Sequence, residues 1–168
     1  AAPSRDKTPL ELVAYCARVS NPSNQNNSAT SEKLVKYLVK HKHWSPLEMV
    51  NVCLEIETTR DIARQLLRHR SFTFQEFSQR YANPDQAFDD MFEKREARMQ
   101  DEKNRQNSVE VDDLKIETEW IRIQSRVEWM CKKQYQAAIK LGIAKEQARA
   151  LLPEGLTKTR LYMNGTIR

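Results

Sequence analysis

The spacing of apolar and polar residues divides the chain into elements. Thr8, with Glu11 three residues on, forms a capping box, and Pro9 takes the first helical position, so a helix is predicted over about 9–18. Residues 21–31, NPSNQNNSATS, read as an irregular connection, after which Leu34, Val35, Leu38 and Val39 recur at helical spacing. Val50, Val52, Leu54 and Ile56 alternate with Asn51, Cys53, Glu55 and Glu57, which predicts a strand over about 49–57 with one buried face. Asp61, Ile62, Ala63, Leu66 and Leu67 follow at three- and four-residue spacing, a helix reaching about His69. Residues 71–82 lack a sustained period and read as an ordered loop anchored by Phe72, Phe74 and Phe77. From Ala82 to Val111 thirteen of thirty residues are charged, so this insert is expected to be a mobile lid, a solvated helix or partly disordered, adding little core. Ile116, Trp120, Ile123, Val127, Met130, Cys131, Tyr135, Ala138 and Leu141 then mark one helix over about 111–141, closed by Gly142. A short helix in AKEQARALLP stops at Pro153.

The length of 168 residues suits one domain over 1–168, and 39% hydrophobic against 30% charged residues leaves a core under a wet surface. No apolar run approaches a membrane span, and AAPSRDKTPLEL lacks the apolar stretch of a secretory signal, so a soluble, cytoplasmic protein with no membrane partner is expected. Three glycines exclude a G-x-G-x-x-G loop and a P-loop, so any phosphate must be held by side chains or helix ends. Three cysteines at unrelated spacings fit neither a disulfide framework nor a zinc pattern. The net charge of +5 suits an anionic partner without proving one.

Chemistry concentrates in RQLLRHRSFTFQEFSQRY, residues 64–81. Arg60, Arg64 and Arg68 lie four apart on one helix face, and Arg68, His69 and Arg70 cluster at its negative end, where their donors suit phosphate or carboxylate. The bland reading is a solvated basic face with Asp61 and Glu57 as partners. His41 and His43 have no third ligand at metal spacing, and no metal is expected. No cysteine sits where a base or cation would activate it; Cys16, Cys53 and Cys131 read as buried structural thiols. Ser78 lacks an adjacent histidine–acid pair and suits binding better than attack. A nucleic-acid module using the arginine face and Phe72, Phe74 and Phe77 is the alternative from another class, distinguished by salt-sensitive oligonucleotide binding in a colourless protein.

Arg68-His69-Arg70, seven residues and then Ser78 reproduce RHR-x7-S, which resembles the signature of the flavin-dependent thymidylate synthases, the ThyX family. His43-Trp44-Ser45-Pro46-Leu47-Glu48 is similar to that family's H-x-[ST]-P-x-E element, and Ala17-Arg18-Val19-Ser20 to its A-R-V-S. Ala148 to Pro153 resembles A-R-x-x-L-P, and Tyr162-Met163-Asn164 the T-x-N element, so the likeness runs from about 14 to 164 outside the insert.

The resemblance implies an α+β domain, a small and mostly antiparallel sheet packed with long helices, assembled as a homotetramer with active sites shared between subunits. It implies synthesis of dTMP from dUMP, with methylenetetrahydrofolate as one-carbon donor and NADPH reducing FAD, and with no cysteine nucleophile and no nucleic-acid partner. FAD contacts carry over to Ser20, Ser45, Glu48, Arg68, His69, Arg70, Gln75, Glu76 and Asn164, and dUMP contacts to Gln65, Arg68, Glu76, Phe77, Ser78, Gln79, Arg80 and Arg149. His43, Arg68, Glu76 and Ser78 are the implied catalytic group. Gln75 stands where the family most often has Asn, and the family's activating arginine is expected in a segment past Arg168.

Overall fold

A computed structural model describes residues 6–168. The chain divides into two compact units, the first comprising residues up to Leu54 with Ser71–Thr73 and Tyr162–Arg168, the second Glu55–Arg70 and Phe74–Leu161.

In the first unit, helix α1 (Pro9–Ala17) begins with the expected capping box: Glu11 N donates to the Thr8 hydroxyl at 3.3 Å, and Thr8 N donates to the Glu11 carboxylate at 2.8 Å. The Thr8 backbone donor holds the Glu11 carboxyl below its ordinary pKa. Helix α2 (Ser31–Lys40) packs on α1, burying Val13, Leu38, Leu47 and Val50 as one apolar cluster. The 21–31 connection is ordered by buried Arg18, whose guanidinium donates to Thr30 Oγ1 at 2.8 Å and to the Asn27 carbonyl. A 3-10 turn, Ser45–Met49, leads into strand β1 (Asn51–Thr59).

In the second unit, helix α3 (Arg60–Leu66) starts directly at the end of β1 and stops three residues short of His69. Its C-cap, Leu67, is followed by a turn, because the polar RHR run offers no apolar residue to keep the helix on the core. Strand β2 (Thr73–Glu76) corrects the loop expected over 71–82. A short helix α4 (Pro84–Ala87), strands β3 (Arg98–Gln100) and β4 (Ser108–Glu110) and helix α5 (Leu114–Lys140) follow, then α6 (Lys145–Ala148), a 3-10 turn, and strand β5 (Lys158–Thr166).

A three-stranded sheet has the order β1-β5-β2, and β3 pairs with β4 as a separate antiparallel hairpin. Hydrogen bonds from Arg60 N to Thr157 O at 3.0 Å and, in the first unit, from Ile167 N to Val50 O at 3.1 Å run β5 antiparallel to β1. Phe77 N to Arg160 O at 2.8 Å, with Thr73 Oγ1 to Asn164 O at 3.3 Å, does the same for β2. The α+β class with an antiparallel sheet is therefore as expected.

Three expectations fail for identifiable reasons. The insert over 82–111 is not merely a solvated excursion: Met91 and Phe92 are buried with Tyr135, Ala148 and Leu152, and Lys158 N and Glu93 N bond to Met91 O and Leu156 O at 2.9 and 2.8 Å. Two apolar residues suffice because β5 lends them backbone partners. The apolar face of β1, a strand at the edge of its sheet, is not buried either, with Val52 and Leu54 more than 40% exposed. Cys53 is exposed with it, while Cys16 and Cys131 are half-buried.

Helix α5 is capped by Asp113, whose carboxylate accepts from Lys115 N at 2.8 Å, and ends at Gly142, where φ of +79° requires the glycine. Its apolar stripe is sunk in the core around Cys131, Tyr135, Ala138 and Ile139, while Ile116, Trp120, Ile123, Val127 and Met130 are exposed.

Candidate functional site

The second unit contains a cavity of about 270 Å³ built from three sequence-distant segments. Helix α3 contributes Arg60 and Arg64, the turn after β2 contributes Gln79, and the α6 region contributes Glu146, Arg149 and Glu154, over a floor of Ala150 and Leu152. Each arginine has a carboxylate or carbonyl beside it. Arg60 Nη1 lies 3.3 Å from Glu76 Oε1, and the side chains are 11% and 19% exposed. The buried Thr159 hydroxyl donates to the same oxygen at 3.1 Å. Arg64 pairs with Glu154, Arg149 Nε donates to the Glu146 carbonyl at 3.1 Å, and Arg80 reaches the Glu146 carboxylate at 3.2 Å.

Gln79 supplies the sharpest indication of a ligand. The residue is 3% exposed, lines the cavity, and its Nε2 has no hydrogen-bond partner. An amide donor buried without a partner costs about 1–3 kcal/mol, and an acceptor brought into the cavity removes that cost. Three guanidiniums and an unsatisfied amide together suit a small, oxygen-rich anion.

Of the expected dUMP contacts, Gln79 and Arg149 meet in this cavity, and Arg80 touches it through Glu146. Glu76 stands behind Arg60, while Phe77 packs edge-on against Phe88 at 5.2 Å. Ser78 is half-buried, its carbonyl accepting from Tyr81 N and Ala82 N at 3.1 and 3.0 Å. Gln65 and Arg68 are exposed and do not line the cavity. Arg60 and Arg64 were seen in the sequence only as a basic face. Their partners are not the expected Glu57 and Asp61: Glu57 is bound by Arg160 and Asp61 by Arg95.

The expected flavin contacts fall on both units. The first holds Ser20, His43 and Ser45, all exposed, together with Glu48, which pairs with Arg168, and Asn164 on β5. His43 belongs to an aromatic group in which Tyr37 lies 4.2 Å from His41 and 6.2 Å from His43. The second unit holds Arg68, His69, Arg70 and Gln75, all exposed, and Glu76.

Cys131 is no thiolate nucleophile at neutral pH, since burial pushes its thiol up. Phe72, Phe74 and Phe77 are all half-buried. Among the described residues no three His, Cys, Asp or Glu side chains converge as a metal site, and no helix is long and apolar enough to cross a membrane.

A family profile described as thymidylate synthase complementing protein matches residues 4–168. The chain is 48% identical over 161 residues to a protein of Paramecium bursaria Chlorella virus 1 named probable flavin-dependent thymidylate synthase, covering 96% of this chain and 72% of that one. It is likewise 48% identical over 163 residues to the flavin-dependent thymidylate synthase of Synechocystis sp., covering 96% and 71%. In fold it is similar to the UMP/dUMP methylase PolB from Streptomyces cacaoi bound with 5-Br dUMP, at a TM-score of 0.71 and 24% identity over 94% of this chain and 68% of that chain.

Proposed function

The chain belongs to the thymidylate synthase complementing protein family, and we propose that it is a flavin-dependent thymidylate synthase that converts dUMP to dTMP. The observation that carries the reading is the arginine-lined cavity with the buried, unpartnered Gln79 amide. It fits the phosphate of a nucleoside monophosphate, and similarity to relatives named for this activity supplies the reaction.

Arg60, Arg64 and Arg149 hold the phosphate dianion, and Gln79 Nε2 donates to one of its oxygens. Glu154 and Glu146 keep these cations in place before the anion arrives. Glu76, fixed by Arg60 and Thr159, is held as an acceptor oriented from β2. The donor set of Arg68, His69 and Arg70 fits a flavin: cationic and N–H groups in one exposed turn would stabilise the anionic reduced ring. When bound, FAD supplies the hydride, drawn from NADPH, and methylenetetrahydrofolate supplies the carbon. No cysteine is needed, in keeping with the raised pKa of Cys131. The exposed stripe of α5 and the bare face of β1 support assembly as a homotetramer, in which neighbouring subunits cover both and share the sites.

The experiment is an assay of the full-length protein with FAD, NADPH, methylenetetrahydrofolate and dUMP. The expected result is dTMP formation that requires every component. Flavin-loaded protein that makes no dTMP overturns the reading.

A further inference from the structure

Arg95 lies in the charged insert, does not line the arginine cavity, and has no part in the family resemblance set out above. Its contacts nonetheless reach two of the cavity's segments within the second unit. Arg95 Nη2 donates to Thr59 Oγ1 at 2.5 Å and to both Asp61 carboxylate oxygens at 2.7 and 2.9 Å, while its Nε donates to Gly155 O at 3.2 Å. Thr59 is the N-cap of α3, Asp61 lies in its first turn, and Gly155 directly follows Glu154.

That first turn needs the help. The N-cap residue of α3, Thr59, makes no side-chain cap; its hydroxyl donates instead to Asp61 Oδ1 at 2.6 Å. Asp61 stands beside Arg60 and three residues before Arg64, the spacing at which a carboxylate pairs with a cation along a helix. With its oxygens taken by Arg95, Arg60 turns to Glu76 and Arg64 to Glu154. Arg95 is itself fixed along α5: its N–H donates to Gln124 Oε1 at 2.7 Å, and its carbonyl accepts from Gln124 Nε2 at 3.0 Å and from Trp120 Nε1 at 2.9 Å. Gln124 is 2% exposed, so this anchor lies in the interior.

We propose that Arg95 is a positioning residue that sets the placement of Arg60, Arg64 and Glu154 for the nucleotide phosphate without touching it. The inference rests on the reading of the cavity as the dUMP site. The test compares wild type, Arg95→Met, Arg95→Lys and Asp61→Asn as flavin-loaded full-length protein. The expected result for Arg95→Met is a rise in KM for dUMP of about tenfold with kcat within about twofold and unchanged flavin absorbance, because misplaced cations weaken ground-state and transition-state binding alike. Arg95→Lys recovers part of the loss through one donor to Asp61. Asp61→Asn keeps the shape while removing the charge and raises KM by several-fold, which keeps the test decisive should Arg95→Met not fold. Wild-type KM in the folded variants, or a fall in kcat at unchanged KM, overturns the inference and leaves the nucleotide reading standing. A wild-type enzyme that binds flavin but never saturates with dUMP sinks both.

Discussion

The two ends of α3 carry the same residue type in different physical circumstances. At its start, Arg60 is 11% exposed and tied to Glu76; Arg64, in its last turn and 56% exposed, is paired with Glu154 across ninety residues of sequence. Just past its end, Arg68, His69 and Arg70 are exposed. A guanidinium at the first end is part of the fold as well as of the cavity, whereas one at the second adds little to a folded single chain and is free to serve a ligand or a neighbouring subunit. Stability and binding should therefore be coupled at one end of the helix and separable at the other.

The largest expected effect tests separability. Arg68→Ala should weaken flavin binding by on the order of 30- to 100-fold, the consequence of removing one hydrogen-bond donor to a charged group. Its melting temperature should stay within a few degrees of wild type, as for most exposed substitutions. Flavin absorbance after gel filtration and a thermal melt check both halves; wild-type retention of flavin removes Arg68 from the site. Arg60→Met tests the coupled end. It leaves Glu76 half-buried without its cation, so unfolding free energy should fall by about 2–4 kcal/mol as KM for dUMP rises. Denaturant titration measures the first quantity, and an unchanged midpoint would contradict the comparison.

Gln79→Leu sharpens the contrast from inside the cavity. The leucine removes a donor with no partner in the folded chain, so stability should hold or improve slightly, while dUMP affinity should fall about tenfold through loss of a hydrogen bond to a charged oxygen. Isothermal titration with dUMP, beside a melt, separates the two; unchanged affinity means that the amide faces something other than substrate.

What was legible in the sequence tracks how local the causes are. The Thr8–Glu11 box, the existence of strand β1 and the Gly142 stop of α5 depend on residues within one element, and each is found, though the apolar face of β1 is exposed. Strand β2 escaped because four residues, TFQE, alternate too briefly to stand out, and its partner Arg160 lies far along the chain. The core position of Met91 and Phe92 was hidden for the same reason, since their backbone partners, Lys158 for Met91 and Thr157 for Phe92, come after α5. For the candidate site, the RHR-x7-S spacing singled out the exposed turn that follows α3. The cavity required Glu154 and Arg149 to be brought beside Arg60 and Arg64, a pairing that no local pattern encodes.

The smallest effect serves as the control on the comparison. Asp85, in α4, accepts from Lys132 Nζ at 2.7 Å and from Gln136 Nε2 at 2.8 Å, tying α4 to α5 away from the cavity lining. Burial alone would raise its carboxyl, but the Lys132 and Gln136 donors outweigh it and hold the pKa below the ordinary carboxylate value. A carboxyl with a depressed folded-state pKa stabilises the fold above its unfolded pKa, and that contribution is lost as pH falls through the folded value. Asp85→Asn should therefore cost roughly 1 kcal/mol at neutral pH and progressively less as both proteins are taken into acid, so that their melting temperatures converge. KM for dUMP should not move. If it does, α4 and α5 transmit to the cavity by a route other than Arg95, and the contrast between the two ends of α3 is not confined to that helix.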